Sequence, residues 1–591
     1  MSATATIPAE ELAALAARAT RLLARTRHMP PAGDPLRIPD PLDIARVFAL
    51  AHTELLRRPD RLLAVQRAWI ADLAAILETV AARAAGRAAA PVALPDPGDR
   101  RFLDPAWAED PRFDALRQAY GATLRRLREL YGGIRDALPV RDRRKLDFYL
   151  RLHLHAIAPA NFPATNPRVL RRAAETGGRS LLRGLVHLLE DLERGRGRLR
   201  IRTTRPDAFR LGENLATTPG RVVFRNRLME LIQYAPTTAE VHRRPLLIVP
   251  PWINKYYVLD LRPHNSFVRW AVDRGLTVFL ISWANPDASF RDVTFEDYLR
   301  EGPLAALDAV RTQTGEAESL VLGYCIGGTL TACLLAWLAA RGERRVRAAT
   351  LLTALTDFSE PGDLGVFIDE DQLARLERHM ADTGYLDAVY MQTVFALLRD
   401  VDLIWNFVIE NYLIGNDPPA FDILYWNDDS THMPFMMQSF YLRRFYLENR
   451  LVEPGGLVLL GESLDLGRVR IPCYVLATRD DHIAPWRGVY RGARRFGGPV
   501  RFVVGESGHI AGVVNPPSAG KYGYRVGRRR LADPDRYLAG AVHRPGSWWP
   551  DWYRWLARHA GPRVPARDPD RGPLPPLDPA PGRYVRVRRV D

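Results

Sequence analysis

The chain has 591 residues, with 83 Lys and Arg against 68 Asp and Glu and a formal net charge of +15. That length exceeds one domain, and an apolar content of 47% supplies a large core, which excludes a small single-domain protein. Three cysteines, Cys325, Cys333 and Cys473, have neither metal-ligand nor disulfide spacing, which points to a reducing compartment. Cys333 reads as a small buried helix residue. The N-terminus has no basic stretch followed by an apolar core, and no uncharged apolar run reaches ~18 residues. Neither a signal peptide nor a transmembrane segment is therefore expected, and a cytoplasmic location is. Much of the charge is arginine near the two termini. It suits a phosphate-bearing partner such as nucleic acid or coenzyme A, or an anionic surface, and a solvated arginine-rich surface fits equally.

Residues 1 to about 95 are rich in Ala, Leu and Arg. Leu62, Leu63, Val65, Trp69, Leu73 and Ile76 fall at helical spacing, within helices expected over 9–27 and 41–87. Residues 90–98, with three prolines and a glycine, read as a linker. A second helical block spans roughly 111–195, and residues 1–200 are taken as a helical N-terminal domain. Within it, Ile157 to Pro167 is a loop whose prolines are too specific for a generic turn.

The rhythm changes near Arg221. Short apolar strands are expected at 222–224, 228–234, 245–249, 276–283, 319–322 and 348–355, with helix or loop between them, so the sheet should be mostly parallel. From Phe358 to Arg468 the strand rhythm gives way to a helical, aromatic-rich stretch. It includes Trp405, Tyr412, Trp426, Phe440 and Phe445 and reads as a cap inserted over the active site. Strands resume at 471–477 and 502–504, the latter read as the last. The tail from Pro562, rich in proline, is expected to be mobile.

The central stretch is Gly323-Tyr324-Cys325-Ile326-Gly327-Gly328. A buried strand, a sharp glycine turn and a buried helix follow one another. This is the strand–elbow–helix that presents a nucleophile in an α/β-hydrolase, with Cys in place of Ser. A side chain at Gly323 or Gly327 would clash in so tight a turn. The elbow exposes the Cys325 sulfur and aims the Ile326 N–H at a developing oxyanion. A small-residue turn around a buried cysteine is the competing reading of this motif alone. Downstream, Asp481 and His509 each follow a strand end, giving the order Cys–Asp–His of that fold. Asp480 competes with Asp481, and His482 reads as an orienting or structural neighbour. His509 would take the thiol proton, with Asp481 fixing the imidazole tautomer. A thiol attacking a thioester exchanges like for like and keeps the acyl group activated. That argues for acyl transfer over plain ester hydrolysis.

Several longer motifs carry a resemblance. They are Gly-Tyr-Cys-Ile-Gly-Gly at 323–328, Pro250 to Tyr257, Trp426 to Thr431, Asp481 to Trp486, Gly508 to Pro517, and Gly546 to Trp552, with Phe209 to Asn214, Ala160 to Phe162 and Thr165 to Pro167. From about residue 100 to 560 the chain resembles the polyhydroxyalkanoate synthases, specifically the class I, poly(3-hydroxybutyrate) polymerase type. The chain's own patterns give a helical N-terminal domain, an α/β-hydrolase domain over 201–560 with a cap at about 358–468, and a Pro-rich tail at 561–591. By the resemblance, Cys325 is the acyl-carrying nucleophile, His509 the general base and Asp481 the third catalytic residue.

Ile326 and Ile253 are the expected oxyanion donors. Trp252, beside the latter, stands where some relatives have a small residue. The implied substrate is an (R)-3-hydroxyacyl-CoA, chiefly short-chain, polymerised with release of CoA. No cofactor or metal is expected, since CoA is only the leaving group. Homodimerisation, a growing polyester granule and phasin-type granule proteins are implied as partners, and nucleic acid is not. A Cys-dependent thioesterase of the same fold and a non-catalytic granule scaffold are the alternatives.

Overall fold

The computed structural model describes residues 9–27, 40–527 and 532–588. The outermost parts of the expected N-terminal domain and tail thus lie outside the described residues. The chain divides into two compact units, one of residues 1–205 with 393–420, the other of residues 206–392 with 421–591. Among the described residues no helix is long and apolar enough to cross a membrane.

The first unit is helical. Val47, Leu55, Tyr120, Ile134, Leu146 and Leu154 form one core, and Trp107, Ala160, Val169, Ile409 and Ile414 another. The segment 393–420, which the sequence pattern assigns to the cap, supplies Ile409 and Ile414 to this second core. Buried charge is paired: Lys145 Nζ lies 2.6 Å from Asp43, and His155 Nδ1 lies 2.9 Å from Asp400. The proline-rich loop has a local purpose. Asn166 accepts from the N–H groups of Arg168 and Val169, capping the helix Pro167–Glu175, and Pro167 occupies its first turn, where an N–H has no helical partner. The Asn166 amide donates to the Ala160 carbonyl at 2.7 Å, tying the loop to itself.

The second unit is built on an eleven-stranded sheet. In chain order its strands are β1 (Gly220–Arg225), β2 (Met229–Tyr234), β3 (Leu246–Val249), β4 (Val278–Trp283), β5 (Ser319–Tyr324), β6 (Val346–Leu352), β7 (Cys473–Thr478), β8 (Val500–Gly505), β9 (Gly523–Val526), β10 (Val542–Pro545) and β11 (Asp578–Pro579). Their spatial order is β10-β9-β8-β7-β6-β5-β3-β4-β2-β1-β11. The six strands from β8 to β4 are parallel to one another. The outer pairings, β4–β2, β2–β1, β1–β11, β8–β9 and β9–β10, are antiparallel. The sheet is therefore mixed, and the expectation of a mostly parallel sheet holds only for its middle. Strands β3, β5 and β7 are buried along their whole length, as parallel strands covered on both faces must be.

Two further expectations are corrected here. The strand ending at Gly505 is not the last, because β9, β10 and β11 follow it. The tail is not loose up to Arg588. β11 pairs with β1, Arg563–Pro565 pairs with Glu240–His242, and Val585 is buried. Proline is compatible with this role because β11 is an edge strand, where a missing N–H breaks no ladder on the open side. Glu230 on β2, fully buried, anchors the tail. Its carboxylate accepts from the N–H groups of Arg583 and Tyr584 and from the Arg225 guanidinium, which also reaches Asp578.

Removing that carboxylate leaves two N–H groups without their acceptor and the partly buried Arg225 guanidinium with Asp578 alone. We expect Glu230→Ala to cost on the order of 3 kcal/mol in urea denaturation and to open the chain to trypsin at Arg583 and Arg586. A tail that stays protease-resistant in this variant would show that Glu230 is not its anchor.

Candidate active site

Strand β5 delivers Cys325 to the C-terminal edge of the parallel strands. Cys325 has φ 54° and ψ −126°, and the helix Ile326–Arg341 starts immediately after it. Its N–H donates to the Leu352 carbonyl at the end of β6, 2.9 Å away. A Cβ on Gly327 would come within 2.3 Å of the Val249 carbonyl oxygen, and one on Gly323 within 2.6 Å of Gly328 Cα. Both contacts are with backbone that cannot yield, so the two glycines are sterically required. Cys325 is half-buried, whereas Cys333 and Cys473 are buried, and burial pushes the Cys333 thiol far above its ordinary pKa.

Strand β7 ends at Thr478, and the turn after it places Asp481. Its Oδ1 accepts from the N–H groups of Ile483 and Ala484, at 2.9 and 2.8 Å. Its Oδ2 accepts from the Thr478 hydroxyl and lies 2.7 Å from His509 Nδ1. Asp480 is exposed instead, and His482 is half-buried. The structure thus brings Asp481, not Asp480, to the histidine. His509 follows β8, with its side chain 6% exposed. Burial alone would lower the imidazole pKa, but the attraction of Asp481 and then of Cys325 outweighs it and holds the pKa well above the ordinary histidine value. Cys325, His509 and Asp481, far apart in sequence, form one connected group.

The sequence reading missed the residues that hold this group. The Tyr324 hydroxyl donates to the His509 carbonyl at 3.1 Å, and the two rings stack 5.6 Å apart. Trp548 and Trp549 donate their indole N–H groups to the carbonyls of Gly512 and Val513, at 3.0 and 2.9 Å, fixing the loop beyond His509. Trp552 donates its indole N–H to the Thr350 hydroxyl on β6, 2.9 Å away. Their common motif at 546–552 carried the signal, since tryptophans so closely spaced need internal acceptors when buried. Tyr441 and Tyr446 lie within electrostatic reach of Cys325, and burial raises both phenols above their ordinary range. Phe358, Phe295 and Phe445 pack around them. Tyr441 and Tyr446, from the stretch read as a cap, thus lie by the thiol.

The two expected oxyanion donors sit on different elements. Ile326 is the first residue of its helix, so its N–H has no acceptor within that helix. Ile253 lies in the loop after β3, which the 426–431 segment clamps. Thr431 N–H donates to the Ile253 carbonyl at 3.0 Å, the Thr431 hydroxyl to the Trp252 carbonyl, and the Trp426 indole to the Lys255 carbonyl at 2.6 Å. Lys255 Nζ lies 2.8 Å from Asp429 Oδ1, with both side chains buried. Burial pulls the Lys255 pKa down, and Asp429 opposes it. Trp252 fills a box of Trp283 and Tyr298, their ring centroids 5.5 and 4.6 Å from its own. Among the described residues no cluster of three or more His, Cys, Asp or Glu is placed to hold a metal ion.

Residues 98–271 match the family described as "Poly-beta-hydroxybutyrate polymerase (PhaC) N-terminus", and residues 246–516 match the alpha/beta hydrolase fold. The chain is 49% identical over 547 residues to a poly(3-hydroxyalkanoate) polymerase of Methylorubrum extorquens, covering 92% of this chain and 90% of that protein. It is 46% identical over 548 residues to the poly(3-hydroxyalkanoate) polymerase subunit of Rhizobium meliloti, covering 92% and 89%. It is 41% identical over 537 residues to that of Cupriavidus necator, covering 90% and 89%. With relatives this similar along nine-tenths of its length, and an elbow cysteine joined to a histidine and an aspartate on an α/β-hydrolase sheet, the chain belongs to the poly(3-hydroxyalkanoate) polymerases, a family of acyltransferases.

Proposed function

We propose that this chain polymerises (R)-3-hydroxyacyl-CoA, chiefly short-chain such as 3-hydroxybutyryl-CoA, through a thioester on Cys325, with release of coenzyme A. The observation that carries the reading is His509 held between Asp481 and a half-buried Cys325. His509 takes the Cys325 proton, and the sulfur attacks the thioester carbonyl of the substrate. The carbonyl electrons become an oxyanion received by the N–H groups of Ile326 and Ile253. Collapse expels the coenzyme A thiolate, which leaves with the proton from His509. Then the 3-hydroxyl of another acyl unit gives its proton to His509 and attacks the Cys325 thioester. An ester bond forms, and the thiol is restored.

The aromatic packing around Tyr441 and Tyr446 supports chain growth over hydrolysis, because a thioester kept from water awaits an alcohol. In the same reading the protein works as a homodimer in the cytoplasm, on the polyester granule with phasin-type partners. Leu56, Leu63, Ile70 and Leu77, exposed on the helices Pro41–Leu56 and Pro59–Ala84, are consistent with an apolar surface nearby.

The reading is tested by incubating the purified chain with 3-hydroxybutyryl-CoA. Release of coenzyme A together with insoluble polyester supports it, whereas release with only free hydroxy acid would make the chain a thioesterase. Cys325→Ala should lower coenzyme A release by ~10⁴-fold or more with an unchanged thermal melt. Turnover near that of the parent would remove Cys325 from the mechanism.

Asp481→Asn should slow acylation and depress polymer yield further, because each elongation step also needs the His509 proton acceptor. Asp480→Asn, at an exposed side chain, should match the parent in single-turnover coenzyme A release and in polymer yield. Equal loss in both steps for Asp481→Asn would deny it a separate part in elongation.

His509 binds its proton more tightly folded than unfolded, so its pairing stabilises the fold fully below the ordinary histidine pKa of ~6.5 and loses that contribution as pH rises through the raised folded value. Asp481→Asn should therefore cost more in urea denaturation at acid-to-neutral pH than in alkali. The opposite order would mean that His509 is neutral in the folded chain.

A further inference from the structure

The helix Asp422–Asp428 and the residues after it, to His432, carry the clamp on the 250–257 loop. The C-terminal residues grip that clamp at two points. The Arg588 guanidinium lies over the Tyr425 ring, 4.7 Å from its centroid, and Arg588 Nε lies 3.6 Å from Asp429 Oδ1. The Val587 carbonyl accepts from the Asn285 side-chain amide at 3.3 Å, and Asn285 Oδ1 accepts from the His432 N–H at 3.0 Å. One grip holds the middle of the clamp and the other its end.

Asp429 is the junction. Its carboxylate, with a side chain only 1% exposed, faces Lys255 Nζ at 2.8 Å and Arg588 at 3.6 Å through Oδ1, and it accepts from the Tyr257 hydroxyl at 3.0 Å through Oδ2. Lys255 and Arg588 repel each other, and the carboxylate between them sets where both rest. Solvent screens a buried group of this kind weakly, so losing one cation shifts the remaining two charges. Lys255 and Tyr257 lie in the same loop as Ile253, two and four residues after it. A change at Arg588 is therefore transmitted through Asp429 to the peptide meant to meet the oxyanion.

We propose that Arg588 is a positioning residue for the oxyanion loop: it holds Asp429, Asp429 holds Lys255 and Tyr257, and these fix the Ile253 peptide. The inference rests on the acyl-transfer reading above and deepens it, because it makes the C-terminal segment part of the apparatus that stabilises the tetrahedral intermediate.

Two reactions of one sulfur separate this role from a general structural one. Iodoacetamide alkylates a thiolate by direct displacement: an S–C bond forms, iodide leaves, and no oxyanion develops. Cys325 is the one cysteine that is not buried, so alkylation reads its reactivity. Acyl transfer from 3-hydroxybutyryl-CoA needs the same thiolate and an oxyanion site as well. In the full-length chain Arg588→Ala should lower kcat for coenzyme A release roughly tenfold, less than the ~10²–10³-fold of deleting a donor outright. KM and the alkylation rate should each stay within about twofold of the parent. Arg588→Lys should recover a large part of the lost kcat, and Arg588→Gln, polar but shorter and uncharged, should not.

An Arg588→Ala chain with parental kcat overturns the proposal, as does alkylation that falls in step with coenzyme A release. Arg588→Gln keeps the test open should the alanine variant fold poorly, since it retains the aliphatic stem of the side chain. If the parent chain alkylates normally but releases no coenzyme A, the acyl-transfer reading itself fails, and the role of Arg588 falls with it.

Discussion

The backbone of Cys325 is the constraint on which the rest depends. A non-glycine residue at φ 54° and ψ −126° persists only where its surroundings over-determine it. Here β5 ends in a buried parallel array, the Cys325 N–H is fixed to Leu352, and the helix after it is buried along nearly its whole length. Two neighbours share the pattern. Thr353, just past β6, has φ 42°, with its N–H bonded to Leu476 on β7. Ser507, two residues before His509, has φ 70°, and its carbonyl accepts from Asp480. Positive φ values thus recur past β5, β6 and β8, the first and last of which deliver the cysteine and the histidine, while the aspartate follows β7 between them. The parallel strands supply the rigidity that lets short, sharp turns stand there.

Charge burial is the second theme, and the site uses it in two ways. Asp481 is surrounded by donors from its own turn, so its negative charge is held in place to face His509. Burial would strip the imidazole of its proton, and the carboxylate and the cysteine together return it. Asp429 and Lys255 do something different. Their pairing joins the 250–257 loop to the segment returning from the cap, so one electrostatic contact sets the distance between two elements. Glu230 applies the same device to the tail. Buried charges here specify position more than they add stability.

The tryptophans at 548, 549 and 552 show how packing and polarity combine. Each ring is buried, and each indole N–H finds an acceptor on the loop after His509 or on β6. The hydrophobic gain of burying such rings is large and non-directional. The N–H groups make it directional, which is what a histidine loop needs.

The middle of the fold and the make-up of the central group are legible in the order of amino acids alone. Apolar runs of strand length marked β1 to β8, most clearly the parallel strands β3, β5 and β7, which are covered on both faces. Gly323 and Gly327 marked the elbow, because no side chain fits there. Cys325, an aspartate at 480 or 481, and His509 were legible from their order and their places after strands. Other features emerge only on folding. The residues 393–420 join the helical unit, although their composition matches the cap around them, since an aromatic helix carries no sign of which core it will enter. β9, β10 and β11 escaped notice because short antiparallel strands near a sheet edge are half-exposed and proline-tolerant, so they lack an apolar signature. The choice of Asp481 over Asp480 depended on which carboxylate the turn points inward, and two adjacent aspartates are equivalent until that turn is built. The junction of Lys255, Asp429 and Arg588 draws on three distant parts of the chain. Each is an ordinary charged residue in sequence, and only the burial that folding imposes makes their pairing obligatory.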